Sequence, residues 1–172
     1  MIMADTVSPI KNLYDTDFAA WAFEQAELLK SGKLNQLDLE NLAEEIESMG
    51  RNDHRALGSH TTVLIHHLLK WQFQPERRGN SWRLTIGTQR TAINKLLKES
   101  PSLKADLNNP EWLQKAWKEG AHRAKKETDL HYDFPVCPVW TVDEILDDDF
   151  YPLSEQELSQ QKSRSDDNDI ER

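Results

Sequence analysis

Residues 39–73 read LENLAEEIESMGRNDHRALGSHTTVLIHHLLKWQF. Leu39, Leu42, Ile46, Met49, Leu57, Leu64, Leu68 and Trp71 recur with the period of one helical face. Asp38 stands before them as an N-cap, and Leu37 with Leu42 has the spacing of a hydrophobic staple. Gly50 and Gly58 each cost about 1 kcal/mol relative to Ala, which weakens a helix without stopping it. Pro75 ends the pattern. The stretch therefore predicts one long helix from 39 to 73.

Upstream, Asp15 can cap a helix that carries Phe18, Trp21, Ala22, Leu28 and Leu29 on one face, with Gln25 as a polar interruption. Ser31-Gly32 ends it through a left-handed residue. Downstream, Arg77-Arg78-Gly79-Asn80 reads as a loop. Ser81 can cap a helix carrying Trp82, Ile86, Ile93, Leu96 and Leu97. A short turn runs from Pro101 to Leu107. Asn109-Pro110 then opens a helix through Trp112, Leu113, Trp117, Ala121 and Ala124, ending near Thr128. Phe134 to Pro138 is extended, because each proline disfavours helix in the residue before it. Thr141 and Glu144 form a capping box for a short helix through Leu146. The expected fold is all-α: a helical bundle with one long central helix, three other substantial helices and a short C-terminal helix. One domain spans 14–152, between a flexible arm (1–13) and an acidic, disordered tail (153–172).

At 172 residues with a single cysteine, Cys137, the chain needs no disulfide to fold. Cys137, between prolines, is expected to be buried and inert. The start carries no secretory signal, and no apolar run approaches the ~20 residues that span a bilayer, so a cytoplasmic location is expected. The net charge of -9 argues against sequence-independent nucleic-acid binding. The charge is unevenly placed. Asp38–Glu47 holds five acids and no base, Lys70–Lys98 holds seven bases against Glu76 alone, and Thr141–Pro152 holds five acids.

Several motifs occur in a fixed order: Leu13-Tyr14-Asp15-Thr16-Asp17-Phe18, Glu44-Glu45-Ile46-Glu47-Ser48-Met49-Gly50, His67-Leu68-Leu69-Lys70-Trp71-Gln72, Ser81-Trp82 and Cys137-Pro138-Val139-Trp140-Thr141. Over about residues 13–152 the chain resembles domain-of-unknown-function family 29, small bacterial proteins frequent in cyanobacteria. The resemblance implies an all-α fold and carries over no catalytic residue.

The chemistry-bearing side chains exclude more than they indicate. Asp53, His60 and His67 lie seven apart, about 10 Å along a helix, too far to share a metal ion. Glu119-x-x-His122 is a single motif where a di-metal bundle needs two, and Glu127 and His131 straddle a helix end. No metal or cofactor is expected, and there is no glycine-rich phosphate loop or nucleophile elbow. Arg55 and His60 match the Arg-x4-His pattern and so resemble helical ribonucleases of the higher-eukaryote-and-prokaryote nucleotide-binding class. There His60 would be the acid/base and Arg55 would stabilise phosphate charge across a dimer. Chance supplies about one such match in a chain with nine arginines and six histidines. The positive middle is the stronger signal. Trp71 and Trp82 bracket Arg77 and Arg78, while Arg83 and Arg90 share a face of the next helix, an arrangement that can hold carboxylates, phosphates or bases. The plainer alternative makes both tryptophans core anchors, with the arginines paired to the acids of 38–47. The expected function is a non-enzymatic interaction or regulatory module that binds a protein, one with an acidic surface, through Arg77, Arg78, Arg83, Arg90, Trp71 and Trp82. Nucleic acid ranks below a protein, and a membrane is excluded. The alternative is a dimeric helical ribonuclease or RNA-binding protein using Arg55 and His60.

Overall fold

Helix follows wherever the apolar period predicts it. A computed structural model describes residues 9–128 and 134–170. In chain order the helices are α1 (Pro9–Thr16), α2 (Phe18–Lys30), α3 (Leu39–Phe73), α4 (Asn80–Glu99), α5 (Lys104–Leu107), α6 (Pro110–Thr128), α7 (Val142–Leu146) and α8 (Glu155–Ile170). Among the described residues there is no strand, so the fold is all-α. Helix α3 runs unbroken through Gly50 and Gly58. The chain divides at Asn52 into two compact units, and α3 contributes its first turns to one and the rest to the other.

In the first unit, α1 occupies part of the segment expected to be an arm, since its helix begins at Pro9; residues 1–8 of that arm lie outside the described residues. Because α1 continues through Thr16, the cap of α2 moves from Asp15 to Asp17, whose Oδ1 accepts the Ala20 N–H at 3.0 Å. Gly32 ends α2 with φ +71°, as its position requires. The polar interruption at Gln25 has a cause. Its Oε1 accepts the Asp38 N–H at 2.9 Å inside the unit, and the Trp21 indole N–H donates to Asp38 Oδ2 at 3.3 Å. The Tyr14 hydroxyl donates to Glu45 at 2.7 Å, and this bond to a carboxylate pushes the phenol up to about 12.

In the second unit, Leu57, Leu64, Leu68 and Trp71 of α3 pack with Ile86 and Ile93 of α4, Trp117 and Ala124 of α6, Trp140, and Ile145 of α7. Helices α3 and α6 approach closely at Gly120. A methyl group placed there would lie 3.0 Å from Ile65 Cγ2 and 3.1 Å from the Thr62 carbonyl oxygen. Asn109 caps α6 by accepting the Glu111 N–H at 2.9 Å. Thr141 and Glu144 form the expected reciprocal box at α7. Helix α4 starts two residues earlier than expected, so Gly79 in extended conformation takes the cap position and Ser81 falls inside the first turn. Cys137 is exposed rather than buried. Its neighbours Val136 and Val139 also face outward, while Trp140 turns into the core.

The tail expected to be disordered from 153 contains α8. Ser154 and Glu157 form a second reciprocal box: the Ser154 N–H donates to Glu157 Oε2 at 2.7 Å, and the Glu157 N–H donates to Ser154 Oγ at 3.3 Å. This local satisfaction of the first N–H groups, together with the hold that Arg78 takes on Glu157, offsets the polar composition.

Candidate functional site

The arginine and tryptophan corner is built where α3 ends and α4 begins. Trp71 is buried and packs against Tyr151, with ring centroids 4.8 Å apart and planes tilted by 50°. Arg78 lies over Trp71, donates from Nε to the Trp71 carbonyl at 2.8 Å, and grips Glu157 with Nη1 and Nη2 at 2.6 and 2.8 Å. That fork holds the Glu157 carboxyl down to about 2. Arg83 lies between Trp71 and Tyr151, 5.1 and 5.4 Å from their centroids. Arg90 is 1% exposed. Its Nε, Nη1 and Nη2 donate to the carbonyls of Ile145, Asp148 and Phe150 at 2.9, 3.1 and 2.7 Å. Trp71, Arg78, Arg83 and Arg90 lie together here, against the chain's own 145–157 segment. Arg77 is exposed. Trp82 is half-buried, with the Lys70 ammonium 4.6 Å from its ring centroid.

Beside this corner lies a cluster that sequence reasoning missed. Lys70 is almost fully buried, yet its Nζ reaches Glu127 Oε1 at 2.5 Å, and His66 Nε2 lies 2.7 Å from Glu127 Oε2. The His66 contact is close but poorly aimed for a hydrogen bond, so it counts as an electrostatic contact only. Lys70, as the bonded partner, lowers the Glu127 carboxyl. Burial, reinforced by the neighbouring His67, lowers His66 to about 4, so its ring is neutral at pH 7. His67 turns its Nδ1 to the Val63 carbonyl at 2.9 Å and is also lowered by burial. The available signal was His66 and Lys70 four residues apart within an otherwise apolar run, which puts both on one buried face.

Arg55 and His60 leave α3 about 140° apart, because five residues do not close a whole number of turns. Arg55 is exposed and lines a cleft of about 770 Å³ with Gly58, Trp112, Lys115 and Lys118. His60 is half-buried and its Nδ1 pairs with Gln89 Oε1 at 2.7 Å. Asp53 accepts from Ser100 at 2.7 Å, so Asp53, His60 and His67 each have a separate partner. Among the described residues, no three His, Cys, Asp or Glu side chains converge as a metal-holding group. Among the same residues, no helix is long and apolar enough to cross a membrane.

The first unit carries the other conspicuous surface. Seven of its described large apolar side chains are exposed, Phe18, Phe23, Leu29, Leu34, Leu39, Ile46 and Met49, against one buried, Trp21. The apolar period of α3 runs through both of its halves, and in the second unit it packs into the core. Its first turns instead present that face outward.

These observations define an all-α protein with an arginine clamp on its own C-terminal segment and an apolar N-terminal surface. The family described as Domain of unknown function DUF29 matches residues 13–151, and the chain belongs to it. No curated protein and no solved structure matches the chain at a significant level.

Proposed function

We propose that this chain is a non-enzymatic interaction module whose ligand is another protein. The carrying observation is the first unit, where seven large apolar side chains face outward and one is buried. Among them Leu39, Ile46 and Met49 share one face of α3, and an exposed apolar face is usually covered by a partner. The arginine corner, first expected to hold an acidic protein, already grips Glu157 and three carbonyls of the same chain. The guanidinium groups of Arg78 and Arg90 act there as internal clamps, which supports the first unit over this corner as the partner surface.

The ribonuclease alternative has less support. Its two residues diverge on α3, and His60 is engaged by Gln89. The test is affinity purification of the full chain from its native cells, with nuclease-treated and untreated arms. A protein partner that persists after nuclease treatment is the expected result. Loss of every partner on nuclease treatment, or RNA cleavage abolished by His60→Ala in a chain of unchanged stability, overturns the proposal.

A further inference from the structure

Helix α3 makes its outward face from two adjacent strips. At 100° per residue, Leu39, Leu42, Ala43, Ile46, Met49 and Gly50 fall within one arc. Glu40, Glu44 and Glu47 fall in the next. The far side of the helix is held within the first unit, where Asp38 meets Trp21 and Gln25, and Glu45 meets Tyr14. The apolar strip is open at three of its four large residues, with Leu39 67%, Ile46 67% and Met49 69% exposed, while Leu42 is half-buried. Leu39, Leu42, Ile46 and Met49 have the 3-4-3 spacing of a coiled-coil seam, about 15 Å long.

The structure assigns this face to a basic amphipathic helix of a partner protein, an inference that rests on the interaction reading above and names its ligand. Two features select the partner. The first is charge. The flank beside the strip carries Glu40, Glu44 and Glu47 against one base, Arg51, which pairs with Glu47 at 3.0 Å. The second is shape. Ala43 and Gly50 separate the apolar strip from the glutamates, and a methyl group placed on Gly50 would meet nothing within 4 Å. Leucines of the partner fill the seam. Its lysines or arginines lie with their aliphatic stems across the small residues and end at the glutamate row. A second copy of this chain fits worse. An antiparallel pair is self-complementary, so it sets each glutamate row beside its own counterpart.

The test titrates the full chain with three labelled 18-residue helical peptides by fluorescence anisotropy. One has leucine at seam positions and lysine on the flank. One replaces each lysine by glutamate. One scrambles the lysine peptide. Binding of the first peptide at least 10-fold tighter than the other two is expected, weakening several-fold from 50 to 300 mM salt. Ile46→Gln with Met49→Gln weakens it at least 10-fold while circular dichroism stays unchanged, because both side chains are exposed. Glu44→Gln with Glu47→Gln removes most of the salt dependence. Equal binding of the three peptides, or unchanged binding by the seam variant, overturns the inference. So does a wild-type dimer in sedimentation that the seam variant dissociates, which would make the occupant a second copy. Native partners retained by the seam variant overturn the inference and leave the interaction reading standing. A chain with no native protein partner at all overturns both.

Discussion

Arg90→Met separates a structural clamp from a binding residue. Methionine keeps the apolar stem as far as the position of Nε and has no donor, so it removes the hydrogen bonds together with the volume of the guanidinium head. Three are lost, to the carbonyls of Ile145, Asp148 and Phe150. Hydrogen bonds to charged groups contribute about 1.5–3 kcal/mol each. Their simple sum overshoots, because they share one guanidinium whose burial is itself unfavourable; burial lowers its pKa. A net loss of about 3–4 kcal/mol is expected, since the orphaned carbonyls retain their desolvation cost. At roughly 2–4 °C per kcal/mol for a chain of this size, Tm falls by about 6–16 °C. Urea denaturation followed by tryptophan fluorescence gives the free energy. Limited proteolysis with an acid-specific protease reports whether Asp147–Asp149 has come loose. Arg90→Lys recovers part of the loss, because one ammonium reaches fewer carbonyls than the planar fork. Arg77→Ala, at an exposed position, stays within ±0.5 kcal/mol. An Arg90→Met variant within about 1 kcal/mol of wild type, with the acidic turn still protected, would mean that the clamp does not hold the segment.

Two glycines give opposite signs for one chemical change. Gly87→Ala, with nothing within 4 Å, stabilises by about 0.5–1 kcal/mol through helix propensity. Gly120→Ala destabilises by about 1–2 kcal/mol, because backbone atoms of Thr62 and His66 stand in its way; equal melting temperatures for the two variants would contradict the close approach of α3 and α6. Glu127→Ala leaves the buried Lys70 ammonium without its carboxylate and costs about 1–3 kcal/mol, reduced from the fully buried case because Glu127 is half-exposed. Lys70→Met is nearly neutral, and chemical denaturation that ranks the two the other way would refute the pairing. Stability falls as pH drops from about 6.5 to 4: His66, held to about 4 in the fold, stays neutral while the unfolded chain binds its proton. The loss reaches about 3 kcal/mol, with His67 adding in the same direction. A His66→Gln chain should show a flatter profile over that window, and an unchanged slope would place the titration elsewhere.

The helices were legible because their stops are local chemistry. Asp38, Gly32, Asn109-Pro110 and Thr141 with Glu144 all act within four residues of the chain. The misses have physical causes too. Ser154-x-x-Glu157 has the same spacing as the box at Thr141, but no apolar run follows it, so only the long-range fork from Arg78 shows that α8 begins there. Arg78 and Arg90 were legible as a positive corner and illegible as clamps. Apart from the Trp71 carbonyl, their acceptors lie 55 to 79 residues away in sequence, and Arg90's three are backbone carbonyls, which any residue supplies. The Lys70 and Glu127 pair joins two helices across 57 residues and carries no local signature beyond a charge inside an apolar run.

The two halves of α3 share one period and have different fates, and the difference lies in the width of the apolar arc. From Thr61 to Trp71 nearly every side chain is buried, including Thr61, Thr62, His66 and Lys70 as well as the leucines. A helix that is apolar nearly all round belongs inside a core. From Leu39 to Met49 the arc narrows to a seam bounded by glutamates, and a seam of that width needs only one helix against it. Period alone marks both halves as helix. Arc width separates them, assigning the wide half to this chain's own core and the narrow half to a surface that one further helix can cover.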